Sequence, residues 1–314
     1  MMRVQRLSQP TSGAGRRPAR TGSTLMELTV ALPIAALLGM VAVALLLNTH
    51  KLARRLDSTT EIARELRQAS AVLVSEIRPL SARDVLAWTD TSLEINGVAG
   101  SGIVCATPAA NIIELLPHTG NDALRTSWFA APQAGDLVHS VANDSAMVPH
   151  DGKWRASSLL TYTTSASSQC TVRPLMTLGA ASADHVVRLT LASALATRPS
   201  LGSPVRITRR TRYSLYKASD ARWYLGRKTY NGITWATIQP VAGPLDKPVQ
   251  RGLLIQVRDS ASNKLPPGSV RTPHSIALML RSSSAWVRVG GQPGARDSVV
   301  LAVALRGQMT MSVP

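Results

Sequence analysis

The sequence predicts an α+β protein, with one long N-terminal helix followed by an antiparallel, β-rich head. Three observations carry this. Leu28 to Leu47 is an uncharged run made mostly of Leu, Ala, Val and Ile. A helical pattern continues beyond it without proline or glycine from Lys51 to Arg78. After Pro79 the pattern changes to short apolar runs separated by Gly, Pro, Asn, Asp and Ser, the punctuation of strands and turns.

The apolar run comes first. At about 1.5 Å per residue it spans roughly 30 Å, one hydrocarbon thickness. A secretory signal would have a shorter apolar stretch closed by a small-x-small cut site, and a plain signal anchor would need no processing. Pro33 removes a backbone donor early in the helix and predicts a kink or local opening. Beyond the run, Leu52, Leu56, Ala63, Leu66, Leu73 and Ile77 recur at helical spacing, with Thr59 and Ser70 in the intermediate slots. Arg54, Arg55, Glu61, Arg64, Arg67 and Glu76 lie off that stripe. The narrow stripe predicts a helix with one face packed on a sheet.

In the head, strands are predicted at 92–96, 102–106, 111–116, 127–130, 136–141, 158–163 and 171–176. Later ones are 186–192, 205–217, 222–228, 233–239, 253–258, 275–281 and 298–305. The clearest pair is Arg212 to Lys217 with Trp223 to Arg227, joined by the polar turn Ala218-Ser219-Asp220-Ala221. Gly97-Val98-Ala99-Gly100-Ser101-Gly102 fits no phosphate-binding motif and reads as a loop between strands. Asp259 to Pro273, with Pro266-Pro267-Gly268, reads as another loop, and 117–168 as an insertion of weak pattern.

Charge and composition narrow the function classes. The chain of 314 residues has 35 Lys and Arg against 18 Asp and Glu, a net charge of +17. Residues 1–22 hold Arg3, Arg6, Arg16, Arg17 and Arg20 and no acid, so the remainder keeps 30 bases against 18 acids. That excess favours anionic partners such as lipid headgroups, polysaccharide or DNA. Aromatics are only 4%, which argues against a platform for stacking bases. The six histidines are scattered, and no motif for a nucleophile, a nucleotide or a metal is present. The sequence therefore predicts no enzyme, no cofactor and no metal site. Cys105 and Cys170 are the two cysteines, and their spacing is unlike a metal motif. On the exported side of a membrane they would pair, the rival reading being two buried thiols. Arg206, Arg210 and Arg212 alternate along one strand face with Thr208. A solvated face is the preferred reading, and an anionic contact, DNA included, the alternative.

Gly22-Ser23-Thr24-Leu25-Met26-Glu27-Leu28, with the apolar run behind it and a basic leader before it, resembles the N-terminus of type IV pilins and type II secretion pseudopilins. The hairpin of Tyr213 to Tyr216 and Tyr224 to Arg227 looks loosely like the heads of J-type pseudopilins and PilW-like minor pilins. The resemblance implies a leader over 1–22, a long helix over 23–78 with a transmembrane part at about 28–47, and a head over 79–314. It implies that a prepilin peptidase cuts between Gly22 and Ser23 and methylates Ser23, although the family usually has phenylalanine there. It assigns Glu27 to subunit assembly, as partner to a neighbour's N-terminus. An acid at the mouth of a membrane helix is costly without such a role. The leader's five arginines, set against Lys51, Arg54, Arg55 and Asp57 beyond the run, place the N-terminus in the cytoplasm and the head outside the inner membrane. The function implied is a minor pilin or pseudopilin that initiates or caps a filament, with other pilin subunits as partners. The alternatives are a DNA- or surface-binding minor pilin and an unprocessed membrane-anchored β domain.

Overall fold

One helix, α1 (Leu25–Ile77), carries 53 residues and leads into a head whose described strands all pair antiparallel in two sheets. The structure is a computed structural model and describes residues 25–117, 126–142, 153–165, 170, 186–283 and 296–306. The chain divides after Leu56 into two units.

In the first unit, every side chain of α1 from Leu25 to Leu56 is exposed, and the helix is apolar on all sides across 28–47. A helix apolar all round suits lipid better than water. It is the one described helix long and apolar enough to cross a membrane. It runs through Pro33 without interruption.

In the second unit, α1 buries Ile62, Leu66, Ala69, Leu73 and Ile77. Pro79 prevents continuation, and a 3-10 turn at Ala82–Asp84 follows, closed by Asp84 accepting from the Ser81 backbone and hydroxyl at 2.8 Å each. The buried stripe is turned slightly from the predicted one: Ile62 and Ala69 are fully buried, Ala63 and Ser70 only half. The predicted stripe was anchored on Leu52 and Leu56, which stay exposed. A 3.5-residue period started there drifts away from the true face of a 3.6-residue helix.

The strands are β1 (Val85–Trp88), β2 (Ser92–Ala109), β3 (Ile112–Leu115), β4 (Ser127–Trp128), β5 (Leu137–Ala142), β6 (Lys153–Ser165) and β7 (Val186–Leu191). They continue with β8 (Pro204–Lys217), β9 (Trp223–Thr229), β10 (Gln239–Leu245), β11 (Leu253–Arg258), β12 (Ser275–Ser283) and β13 (Arg296–Ala304). The last three form their own sheet, in the order β11-β12-β13.

Two strands organise everything else. β2 has 18 residues and β8 has 14, and they pair from Ser92↔Ser214 to Ile103↔Pro204. At one end of this pair, β1 flanks β2 while β9 flanks β8 and β10 flanks β9. Leu93, Ile95, Tyr213, Leu225 and Leu245 there share one core with the buried stripe of α1. Leu253, Ile255, Val257, Ile276, Leu278 and Leu280 of the three-stranded sheet complete it. Each such side chain contributes roughly 1.5–3 kcal/mol by leaving water.

At the other end the pairing closes on itself in the cycle β2-β3-β7-β6-β5-β8. The described strands between positions 99 and 208 thus form a six-stranded barrel. Its interior holds a second core that includes Val104, Ile113, Leu115, Val138, Leu159, Val187, Leu189, Val205 and Ile207. A third, smaller cluster of Cys105, Leu116, Cys170 and Val186 is distinct from both.

The barrel corrects one reading. Gly97 to Gly102 is the middle of β2, not a loop. Its glycines answer to space: a Cβ on Gly100 would lie 2.2 Å from the Trp128 ring, and one on Gly102 would lie 2.8 Å from Thr126. The strands predicted at 127–130, 136–141 and 158–163 are present as β4, β5 and β6, and β5 sits between β6 and β8 as an inner strand. Two further differences lie outside the barrel. Ile233 to Ile238 is not a strand, and β10 begins only at Gln239. Asn231 Oδ1 accepts from the backbones of Ile233 and Thr234, Gly232 has φ of 92°, and the chain leaves the sheet there. The short β1 was not predicted. The strand predicted at 171–176 lies outside the described residues.

Candidate functional site

Gly22 and Ser23 lie outside the described residues. Glu27 is in the first turn of α1, on the exposed apolar stretch. Cys105 and Cys170, 65 residues apart, form a disulfide with Cα atoms 4.9 Å apart. Cys105 lies on β2 next to the inward-facing Val104, and the bridge ties Cys170 to that strand.

Arg206, Arg210 and Arg212 of β8 do not form a uniform basic face. Arg206 donates to Asp84 Oδ2 at 3.0 Å. Beside it, His139 Nε2 and Thr208 Oγ1 are 2.9 Å apart. Burial and the Arg206 charge push the His139 pKa down against the weaker pull of Asp84. Further along, Arg210 and Arg212 share one carboxylate, Glu94 of β2. Arg210 Nε donates to Oε1 at 2.5 Å and Arg212 Nε to Oε2 at 2.9 Å, and Nη2 of each arginine also contacts Glu94. Burial raises the pKa of Glu94, but hydrogen bonds and charge from Arg212 and Arg210 outweigh it and hold the carboxyl below its usual range. Register explains the trio: Glu94 is the cross-strand partner of Arg212, and Arg212 is the partner of Lys228.

Over this face lies Trp235, carried by the segment that leaves the sheet after Tyr230. The Arg212 guanidinium is 4.8 Å from its ring centre, Lys228 Nζ 5.1 Å and Arg210 5.4 Å. Tyr230 packs beside it with ring centres 5.3 Å apart, and Arg210 also covers the Tyr230 ring at 5.3 Å. Three cations, one carboxylate and two rings therefore converge on the outer face of β8 and β9.

Sequence reasoning missed Glu94, Lys228 and Trp235. Their approach depends on register between separated strands and on a segment read as a strand. It also missed Arg209, which alternation sends to the opposite face of β8. Arg209 donates to Asp136 Oδ1 at 2.7 Å, to Asp136 Oδ2 at 2.8 Å and to the Ala131 carbonyl at 2.7 Å. It is a bidentate ion pair with Arg209 7% and Asp136 1% exposed.

Among the described residues, no group of three or more His, Cys, Asp or Glu side chains could hold a metal ion. A shallow groove is lined by Thr89, Asp90, Thr91, Lys264, Pro266 and Pro267, with Lys264 Nζ 3.2 Å from Asp90 Oδ1.

Together these features define an α+β protein with one candidate membrane-spanning N-terminal helix, an antiparallel head and a disulfide. No family model, no curated protein and no solved structure matches the chain.

Proposed function

We propose that the protein is a minor pilin or pseudopilin, a structural subunit that initiates or caps a type IV pilus or type II secretion pseudopilus. The observation that carries this reading is the segment Gly22 to Leu28, with its single acid at Glu27, set directly before the apolar helix. A 53-residue N-terminal helix, apolar in its first half and followed by a β-rich head, is compatible with that class. In a helical filament, bulk on the head hinders packing along the shaft. A head that adds a whole barrel to its helix-packed sheet favours the tip. In this reading the inner membrane holds the subunit before assembly, with the N-terminus cytoplasmic and the head outside.

The alternative of a DNA- or surface-binding minor pilin rested on Arg206, Arg210 and Arg212 acting together. Arg206 is matched by Asp84, which interrupts a continuous phosphate track along the strand.

The test is mass spectrometry of the membrane-extracted protein from cells with an active prepilin peptidase. The N-terminus should be Ser23, with or without an added methyl, and Gly22→Ala should leave the leader attached. An intact leader on the parent chain would remove the basis for the proposal.

A further inference from the structure

We propose that the outer face of β8 and β9, at Arg210, Arg212, Lys228 and Trp235, binds a phosphomonoester group. Two arginines there share one carboxylate, and a lysine meets the same Trp235 ring as both of them. Structural packing alone would need one arginine for Glu94. A second arginine and a lysine brought to the same ring add repulsion between like charges that an empty site leaves uncompensated. The local excess of two positive charges matches the roughly −1.5 to −2 charge of a phosphomonoester near neutral pH.

Donor geometry agrees. Both arginines turn Nε and Nη2 toward Glu94. Their Nη1 groups and Lys228 Nζ have no hydrogen-bond acceptor among the described residues. The guanidiniums are also held in place, by the carboxylate on one side and the Trp235 and Tyr230 rings on the other. Pre-ordered arginine forks are suited to phosphate oxygens, and the ordering cost is met before the ligand arrives. The side chains of Arg210 and Arg212 are 45% and 35% exposed, so solvent reaches the free donors. Arg206 is excluded from the site by its own partner, Asp84.

The ligand could be a soluble phosphorylated sugar or a lipid with a terminal phosphate, and the experiment separates them. Full-length protein in nonionic detergent is titrated calorimetrically with inorganic phosphate, with glucose 6-phosphate, with glucose, and with mixed micelles containing phosphatidic acid. Phosphate and at least one phosphomonoester should bind, with affinity falling as salt is added, and glucose should not. Binding of the sugar phosphate alone marks a soluble ligand, and preference for the doped micelles marks a lipid. Lys228→Gln leaves the Glu94 pairs intact and should weaken binding by about tenfold. Lys228→Arg should retain it, and Trp235→Leu should weaken it by loosening both guanidiniums. Absence of phosphate binding by the parent overturns the proposal, as does unchanged affinity in Lys228→Gln. Tight binding of a single-stranded oligonucleotide with no response to any phosphomonoester overturns it in favour of nucleic acid. None of these outcomes depends on leader cleavage, so the site and the filament role stand or fall separately.

Discussion

Replacing Asp136 by alanine should be among the most damaging single changes in the head. Arg209 is nearly sealed from water, and both oxygens of Asp136 receive its donors at 2.7 and 2.8 Å. Without the carboxylate, a buried guanidinium keeps only the Ala131 carbonyl. Breaking a buried ion pair from one side costs about 3–5 kcal/mol. At about 2–4 °C per kcal/mol for a unit of this size, the melting temperature should fall by about 6–20 °C. The Gln133 amide, which donates to Asp136 at 2.8 Å, loses its partner as well, so the upper half of the range is expected. Arg209→Met combined with Asp136→Leu removes both charges while keeping volume. It should recover at least about 2 kcal/mol relative to the sum of the single changes, because no unpaired ion remains. Thermal and urea unfolding of the full chain in detergent, followed by circular dichroism, measures the cycle. A cost below about 1 kcal/mol for Asp136→Ala, or strictly additive changes, would refute the buried-charge argument.

Other expectations follow from the same structure. Reducing the Cys105–Cys170 bridge, which closes a separation of 65 residues, should cost roughly 4 kcal/mol on a chain-entropy estimate; thiol labelling of unfolded, unreduced protein should detect no free thiol. The lowered pKa of His139 gives a contribution complete above about pH 6.5 and lost as pH falls below it, so His139→Gln should flatten the decline in melting temperature between pH 7 and 5. The lowered pKa of Glu94 gives a contribution complete above about pH 4.3 and lost on further acidification, so Glu94→Gln should be less stable at neutral pH and less acid-sensitive below pH 4. Glu27→Ala should leave membrane insertion unchanged and reduce incorporation into filaments, read by shearing and immunoblotting; undiminished incorporation would remove Glu27 from assembly.

The sequence disclosed what depends on local period and punctuation. The long helix, its end at Pro79, the hairpin from Arg212 to Arg227 and the strands of the three-stranded sheet follow from residues close in the chain. What it hid depends on distant encounters. Glycines that read as a loop proved to be spaces for Trp128 and Thr126, whose approach no local pattern announces. Ile233 to Ile238 alternates like a strand, yet Trp235 and Ile238 are drawn onto the sheet face from outside it. The arginines of β8 were visible as a row, but their division between Asp84 and Glu94 is set by the pairing of β2 with β8.

That pairing also bears on how such a head could arise. Val98 and Thr208 face each other across β2 and β8, so the chain enters and leaves the barrel through hydrogen-bonded neighbours. Paired Cα atoms in an antiparallel ladder are only about 4.5–5.5 Å apart. The whole barrel therefore occupies the place of a turn: cut at Val98 and Thr208, the two strands could be rejoined by a few residues with their remaining ladder undisturbed. A smaller ancestor with an ordinary β2–β8 hairpin could have acquired the barrel by growth at its tip. The ladder between the rest of β2 and β8 would have needed no rearrangement, because both new ends were already side by side.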